Sequence, residues 1–157
     1  MGGILTMSDA GPAAMEVVSV SIGSSLFAID IMSVREIRGW TPSTPLPHAP
    51  DYVRGMINLR GAVLPVVDLG ALLGFGVSKL GASSVVVVVQ IDGRQVGLVV
   101  DAVCDIIGLA AEELHPPPEV GSRGVRDCIR GLFSTDDGII CLLTLDGTLP
   151  QELPTAA

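Results

Sequence analysis

An all-β fold, built as two small barrels or one Greek-key sandwich, follows from three features of this 157-residue chain. Nineteen glycines and eleven prolines cut it into short segments, and turns at that density favour strands over long helices. Within the segments apolar and polar residues alternate with a period of two, as Val18, Val20 and Ile22 do against Ser19 and Ser21. Residues 85–89 are five consecutive valines; a run without alternation marks a strand buried on both faces.

Residues 1–14, rich in Gly, Ala, Ser and Pro, read as a disordered leader. Residues 18–22 and 26–31 form a hairpin turning at Gly23-Ser24-Ser25. Residues 33–38 are too few for a stable helix and allow a single turn. Prolines 42, 45, 47 and 50 make 41–50 a semi-rigid surface loop. Strands resume over 53–69 around a turn at 58–61, with Pro65 marking an edge or bulge. One or two helical turns over 69–73 end at Gly74 and Gly76. The valine strand turns at Gly93 into one long strand over 95–107. Residues 112–119, with Pro116, Pro117 and Pro118, are loop. Strands over 125–132 and 139–145 meet at Asp136-Asp137-Gly138. The chain therefore divides into a leader, one domain over 15–150 with approximate subdomains 16–80 and 84–147, and a tail over 151–157.

Composition narrows the function. Hydrophobic residues are 48% and aromatics 3%, so the core is built from Val, Ile, Leu and Ala. Residues 1–78 carry four bases and six acids, net −2; residues 79–157 carry five and eleven, net −6. Without a basic stripe or stacking aromatics, neither nucleic acid nor an anionic membrane surface is an expected partner. Gln90, Asp92, Arg94 and Gln95 interrupt the most apolar stretch, which argues against a membrane span. No basic residue precedes Arg35, so a secretory signal is not expected. Met1–Thr6 matches the short M-G-x-x-x-[ST] acylation pattern; Met7 as the native start is the competing reading.

Catalytic groups are sparse. Cys104, Cys128 and Cys141 lack C-x-x-C spacing and fit buried thiols of a reduced cytosolic protein. Joined with His115 they would make a metal site, but the close ligand pairs of structural zinc are missing, and core packing is expected for Cys104 and Cys141. His48 lies in a proline-rich loop. Asp30, Asp68 and Asp101 each end or interrupt an apolar strand, where they cap turns or pair with Arg35, Arg38 or Arg60. No phosphate-cradling glycine loop occurs. The expectation is a binding protein without catalysis, metal or cofactor.

Three segments carry a resemblance: FAIDIMSVREIRG at 27–39, TPLPHAP at 44–50 and GMINLRGAVLPVVDL at 55–69. Together with residues 85–107 they resemble the CheW family of chemotaxis coupling proteins over about residues 16–147. The resemblance implies two five-stranded SH3-like barrels sharing a hydrophobic core. It implies an adaptor that joins a CheA-type histidine kinase regulatory domain to chemoreceptor signalling tips, working in the cytoplasm at receptor arrays. A CheW-like adaptor of a parallel pathway, such as twitching motility or second-messenger signalling, is the alternative.

The same resemblance places Val34, Ile37, Arg60, Val85 and Ile106 at a receptor-binding groove between the barrels, and Glu36, Arg54, Gly55 and Val86 at kinase or partner contacts. Six of these have a competing structural role: a salt bridge to Glu36 or Asp68 for Arg60, core packing for the aliphatics Val34, Ile37, Val85 and Ile106, a tight strand approach for Gly55. Many relatives end in a C-terminal helix, which Asp146-Gly147-Thr148 and Pro150 disfavour here.

Overall fold

The computed structural model describes residues 15–75, 83–91, 93–116, 128–136 and 138–144. The expectations for the leader, for Gly76 and Pro117–Pro118, for 125–127 and for everything after 144 lie outside the described residues. Among the described residues ten strands follow one another: β1 (Met15–Ile22), β2 (Ser25–Asp30), β3 (Val34–Gly39), β4 (Val53–Leu59), β5 (Ala62–Asp68), β6 (Val85–Ile91), β7 (Arg94–Val100), β8 (Ala102–Leu109), β9 (Ile129–Thr135) and β10 (Gly138–Leu143). A 3-10 turn, η1 (Ile31–Ser33), joins β2 to β3; one helical turn, α1 (Leu69–Leu72), follows β5; a second 3-10 turn, η2 (Ala111–Glu113), follows β8.

The strands form two five-stranded sheets. Sheet I has the order β8-β1-β2-β10-β9 and sheet II the order β3-β6-β7-β5-β4. Each is drawn toward a barrel by one bridge, where the chain leaving an edge strand pairs with the opposite edge. Thr44 pairs with Met56 on β4, and His115 with Leu132 on β9. The division is not the expected 16–80 and 84–147. Hairpin β1–β2 of the first half pairs with β8–β10 of the second, and hairpin β6–β7 pairs with β3–β5, so the halves exchange hairpins.

Burial follows the strand period. On β6, Val86 and Val88 enter the interior of sheet II beside Ile57, Leu64 and Val66. Val87, Val89 and Ile91 point the other way, into a core shared with Val18, Val20, Phe27 and Ile29 of sheet I. The valine run is thus buried on both faces, as its missing alternation implied. Val17, Ala28, Phe133, Ile140 and Leu142 fill sheet I's own interior.

Four local expectations change. Residues 34–39 are an edge strand, because β3 has β6 to pair with. The long strand over 95–107 breaks at Asp101, where the chain crosses from sheet II to sheet I. The Asp101 N–H donates to Ser21 O (3.0 Å) and its carboxylate accepts from the Gly23 N–H (2.6 Å). Pro65 sits inside a central strand; its missing donor is tolerated because the β5–β7 ladder begins at the next residue, Val66. Cys104 is exposed, not core, since a β-bulge opposite Ser19 and Val20 leaves it out of register.

Candidate functional site

Glu36 is the electrostatic centre of the β3 edge. It lies on β3 opposite Val88, and its carboxylate takes both terminal nitrogens of Arg60 together with Arg38 Nη1 at 3.1 Å. Arg60 occupies the β4–β5 turn with φ 52, followed by Gly61 with φ 89. Two successive positive φ values are what a tight two-residue hairpin requires, and Asn58 Oδ1 braces the turn by accepting from the Gly61 N–H (3.0 Å). Arg60, and after it Arg38, hold the Glu36 carboxyl below the usual carboxylate range; Glu36 in turn raises Arg60. Of the two ion-pair partners weighed for Arg60, the structure chooses Glu36. The Arg60 side chain stays 72% exposed, so one face of the guanidinium remains open.

Asp68 is fully buried and pairs elsewhere. One oxygen accepts from the Ala71 N–H (3.2 Å), capping α1, and the other lies 3.6 Å from Arg54 Nη1. Asp30 caps η1 in the same way, accepting from the Met32 N–H at 2.9 Å. All three strand-end aspartates are therefore structural.

The expected groove residues sit in two places. Val34 at the start of β3 and Val85 at the start of β6 are half-buried against the shared core. Ile37, 47% exposed, lies opposite Val87 on β3; Ile106, 56% exposed, lies opposite Val18 on β8 in the other sheet. A bulge between Val34 and Glu36 brings Val34 and Ile37 to the same face, where strict alternation would separate them. Of the expected kinase contacts, Glu36 and Arg54 are partly accessible through β3 and β4. Val86 is 0% exposed inside sheet II, so it presents no surface to a partner. Gly55, at φ 140, lies against the Thr44 bridge: a Cβ there would fall 2.7 Å from the Thr44 carbonyl carbon.

One signal in the sequence went unread. The β4–β5 ladder pairs Val53 with Val67, Gly55 with Val66, Met56 with Pro65, Ile57 with Leu64, Asn58 with Val63 and Leu59 with Ala62. The β9–β10 ladder repeats it at a constant offset, bulge included, from Ile129–Leu143 to Thr135–Gly138. V-R-E-I-R-G on β3 likewise matches V-C-D-I-I-G on β8: Val34 and Val103 face Val89 and Val20, and Ile37 and Ile106 face Val87 and Val18. Val103, half-buried on the shared core, is thus the counterpart of Val34 and is missing from the expected site residues.

Elsewhere, an open cavity of about 450 Å³ is lined by Phe27, Leu73, Phe75, Ile139 and Cys141, with Ser24 and Ser25 at its edge. Its chemistry is apolar packing, and burial pushes the Cys141 thiol up, against ionisation. Among the described residues no group of three His, Cys, Asp or Glu side chains gathers as metal ligands, and no helix is long and apolar enough to cross a membrane.

Comparison with known proteins agrees with this architecture. The chain is 46% identical over 142 residues to the chemotaxis protein CheW of Rhizobium meliloti, covering 90% of this chain and 92% of that one. It is 32% identical to the CheW of Klebsiella aerogenes, covering 97% and 93%. The crystal structure of the scaffolding protein TtCheW from Thermoanaerobacter tengcongensis superposes with a TM-score of 0.79 at 31% identity, over 88% of this chain and 94% of that one. The CheW-like domain family matches residues 16–152, and the chain belongs to that family.

Proposed function

We propose that this chain is a chemotaxis scaffold that couples chemoreceptor cytoplasmic tips to a CheA-type histidine kinase and transmits receptor control of the kinase, without catalysing a reaction itself. Membership of the CheW-like family over nearly the whole domain carries the reading. The geometry supports it: the exposed aliphatics Ile37 and Ile106 stand on edge strands of two different sheets. Such a bridge works through effective concentration, so each contact can be weak alone and the assembly still hold. Its place is the cytoplasm, at receptor arrays. Arg60, charged on an exposed turn, offers its open face to a receptor carboxylate or carbonyl.

Binding of the purified protein to a kinase regulatory domain and to a receptor signalling tip, at low salt and micromolar concentration, tests the proposal. Binding to neither refutes it. Arg60→Glu is expected to stay folded, because Arg60 is exposed, and to abolish receptor-dependent kinase activation. Unfolding of that variant would make Arg60 a structural residue.

A further inference from the structure

The repeat that carries β4–β5 onto β9–β10 continues one residue past the two ladders. Asp68 follows Val67, and its N–H donates to Tyr52 O at 2.7 Å; Thr144 follows Leu143, and its N–H donates to Cys128 O at 2.8 Å. Thr144 therefore holds in sheet I the place that Asp68 holds in sheet II. Arg54 and Arg130 correspond in the same way, each being the extra residue at the bulge of its strand.

The side chains differ at one point. In sheet II the Arg54 guanidinium lies 3.6 Å from the buried Asp68 carboxylate. In sheet I the arginine is kept and a hydroxyl stands in place of the carboxylate. Arg130 is exposed, and no carboxylate of the described residues pairs with it. A cavity of about 60 Å³ opens beside it, lined by Arg130, Thr144, Ser33 and Asp30 over a buried aliphatic floor. Those groups define what the cavity takes. Arg130 presents a planar fork of donors, the complement of a carboxylate-like edge. Thr144 and Ser33 add hydroxyls that donate or accept. Asp30 Oδ1 already accepts the Met32 N–H at 2.9 Å. Beside an anion, the other Asp30 oxygen needs a hydrogen that the anion itself brings. At roughly 30 Å³ of liquid per water, the space admits only a few non-hydrogen atoms.

We infer that this cavity is a binding site for a small planar oxyanion carrying one O–H, with bicarbonate as the ligand. Its anionic oxygens take the Arg130 fork and the Thr144 hydroxyl, as the Asp68 carboxylate takes Arg54 in the other sheet, and its O–H donates to Asp30. Bound there, it joins the end of β10 to η1, the link that leads into β3. The anion thus ties sheet I to the entry of sheet II, apart from the partner contacts proposed above.

Titration of the isotope-labelled full chain with bicarbonate, followed by NMR at fixed pH and ionic strength, tests the site. Saturable amide shifts are expected at Ser33, Arg130 and Thr144. Formate, which lacks the O–H, and sulfate, which is not planar, are each expected to bind roughly tenfold more weakly. Arg130→Gln is expected to weaken bicarbonate roughly tenfold as well. Thr144→Asp rebuilds the arrangement of sheet II, and is expected to raise the melting temperature and abolish the bicarbonate response. Shifts that do not saturate, or that persist unchanged in both variants, overturn the inference. Formate or sulfate binding as tightly as bicarbonate overturns the assignment of the ligand.

Discussion

Replacing Gly55 by alanine decides between a partner contact and a backbone requirement. At φ 140 the residue lies where a side chain is strained, at a cost of about 1–3 kcal/mol. The new Cβ would press on the Thr44 carbonyl and fall 3.0 Å from Ser43 Oγ, so the 43–44 segment must retreat. That segment is held by Thr44 N–H to Met56 O (2.9 Å), Met56 N–H to Thr44 O (2.8 Å) and Ser43 Oγ–H to Arg54 O (3.0 Å). Three hydrogen bonds at about 1 kcal/mol each, added to the strain, give a loss of roughly 4–6 kcal/mol. Domains of this kind have only about 5–15 kcal/mol in all. Two other glycines calibrate the estimate. Gly131 has the same close approach, 2.7 Å from His115 O, without a positive φ, so Gly131→Ala should cost about 2 kcal/mol through the two His115–Leu132 bonds. Gly23 has positive φ and nothing within 4 Å, so Gly23→Ala should cost about 1 kcal/mol. Urea unfolding followed by Trp40 fluorescence and far-UV circular dichroism measures all three. A Gly55→Ala protein within about 1 kcal/mol of the parent that nonetheless fails to bind the kinase domain would refute the backbone argument.

Asp68→Ala should lose about 3 kcal/mol in the same assay, because it uncaps α1 and leaves the Arg54 guanidinium without its buried partner; a loss below about 1 kcal/mol would contradict that placement. With a thiol reagent at neutral pH, Cys104 should react fastest in the folded protein, the half-buried and ionisation-resistant Cys141 more slowly, and Cys128, 3% exposed, only after unfolding. Fast labelling of Cys128 would mean that the shared core opens. Because the folded Glu36 carboxyl lies below its unfolded value, its ion pairs stabilise fully above the ordinary carboxylate range and are lost as pH falls through the lowered value. The gap in melting temperature between the parent and Glu36→Gln should therefore hold near neutrality and close only in acid; a pH-independent gap would show that the pairing contributes through packing alone.

The parts of the fold legible in the sequence were those decided locally. The turns at Gly23, Gly74 and Gly93 sit at positive φ, and the valine run faces two cores because a strand's period is two. The aspartates ending strands could be read as caps because a short carboxylate has few other uses there. Bulges escaped: nothing in V-R-E-I-R-G or V-C-D-I-I-G announces the extra residue, yet it sets Val34 with Ile37 on one face and turns Cys104 outward. The choice between Glu36 and Asp68 for Arg60 depended on which strand lay beside the β4–β5 turn, and strand order is not a local property. For the same reason Val86, a partner-contact candidate by resemblance, is buried by its sheet.

The exchange of hairpins between the halves has a cause in chain length. If β1–β2 stayed with β3–β5, keeping the neighbours that β6–β7 has, β3 would lie beyond β1 and run parallel to β2. A parallel return in one sheet needs a crossover of a dozen or more residues. The chain supplies only η1, Ile31–Ser33, between β2 and β3, and only Asp101 between β7 and β8. At about 3.3–3.6 Å per residue these links cannot retrace a strand and step over its neighbour. They can turn a corner, so β3 and β8 enter the facing sheet. Both barrels then need both halves of the chain, and the two edge strands delivered by those short links are the ones that carry Val34 and Ile37 on one side of the shared core and Val103 and Ile106 on the other. Two short links, visible in the spacing of Asp30 to Val34 and Val100 to Ala102, thus position the surface through which the scaffold is proposed to act.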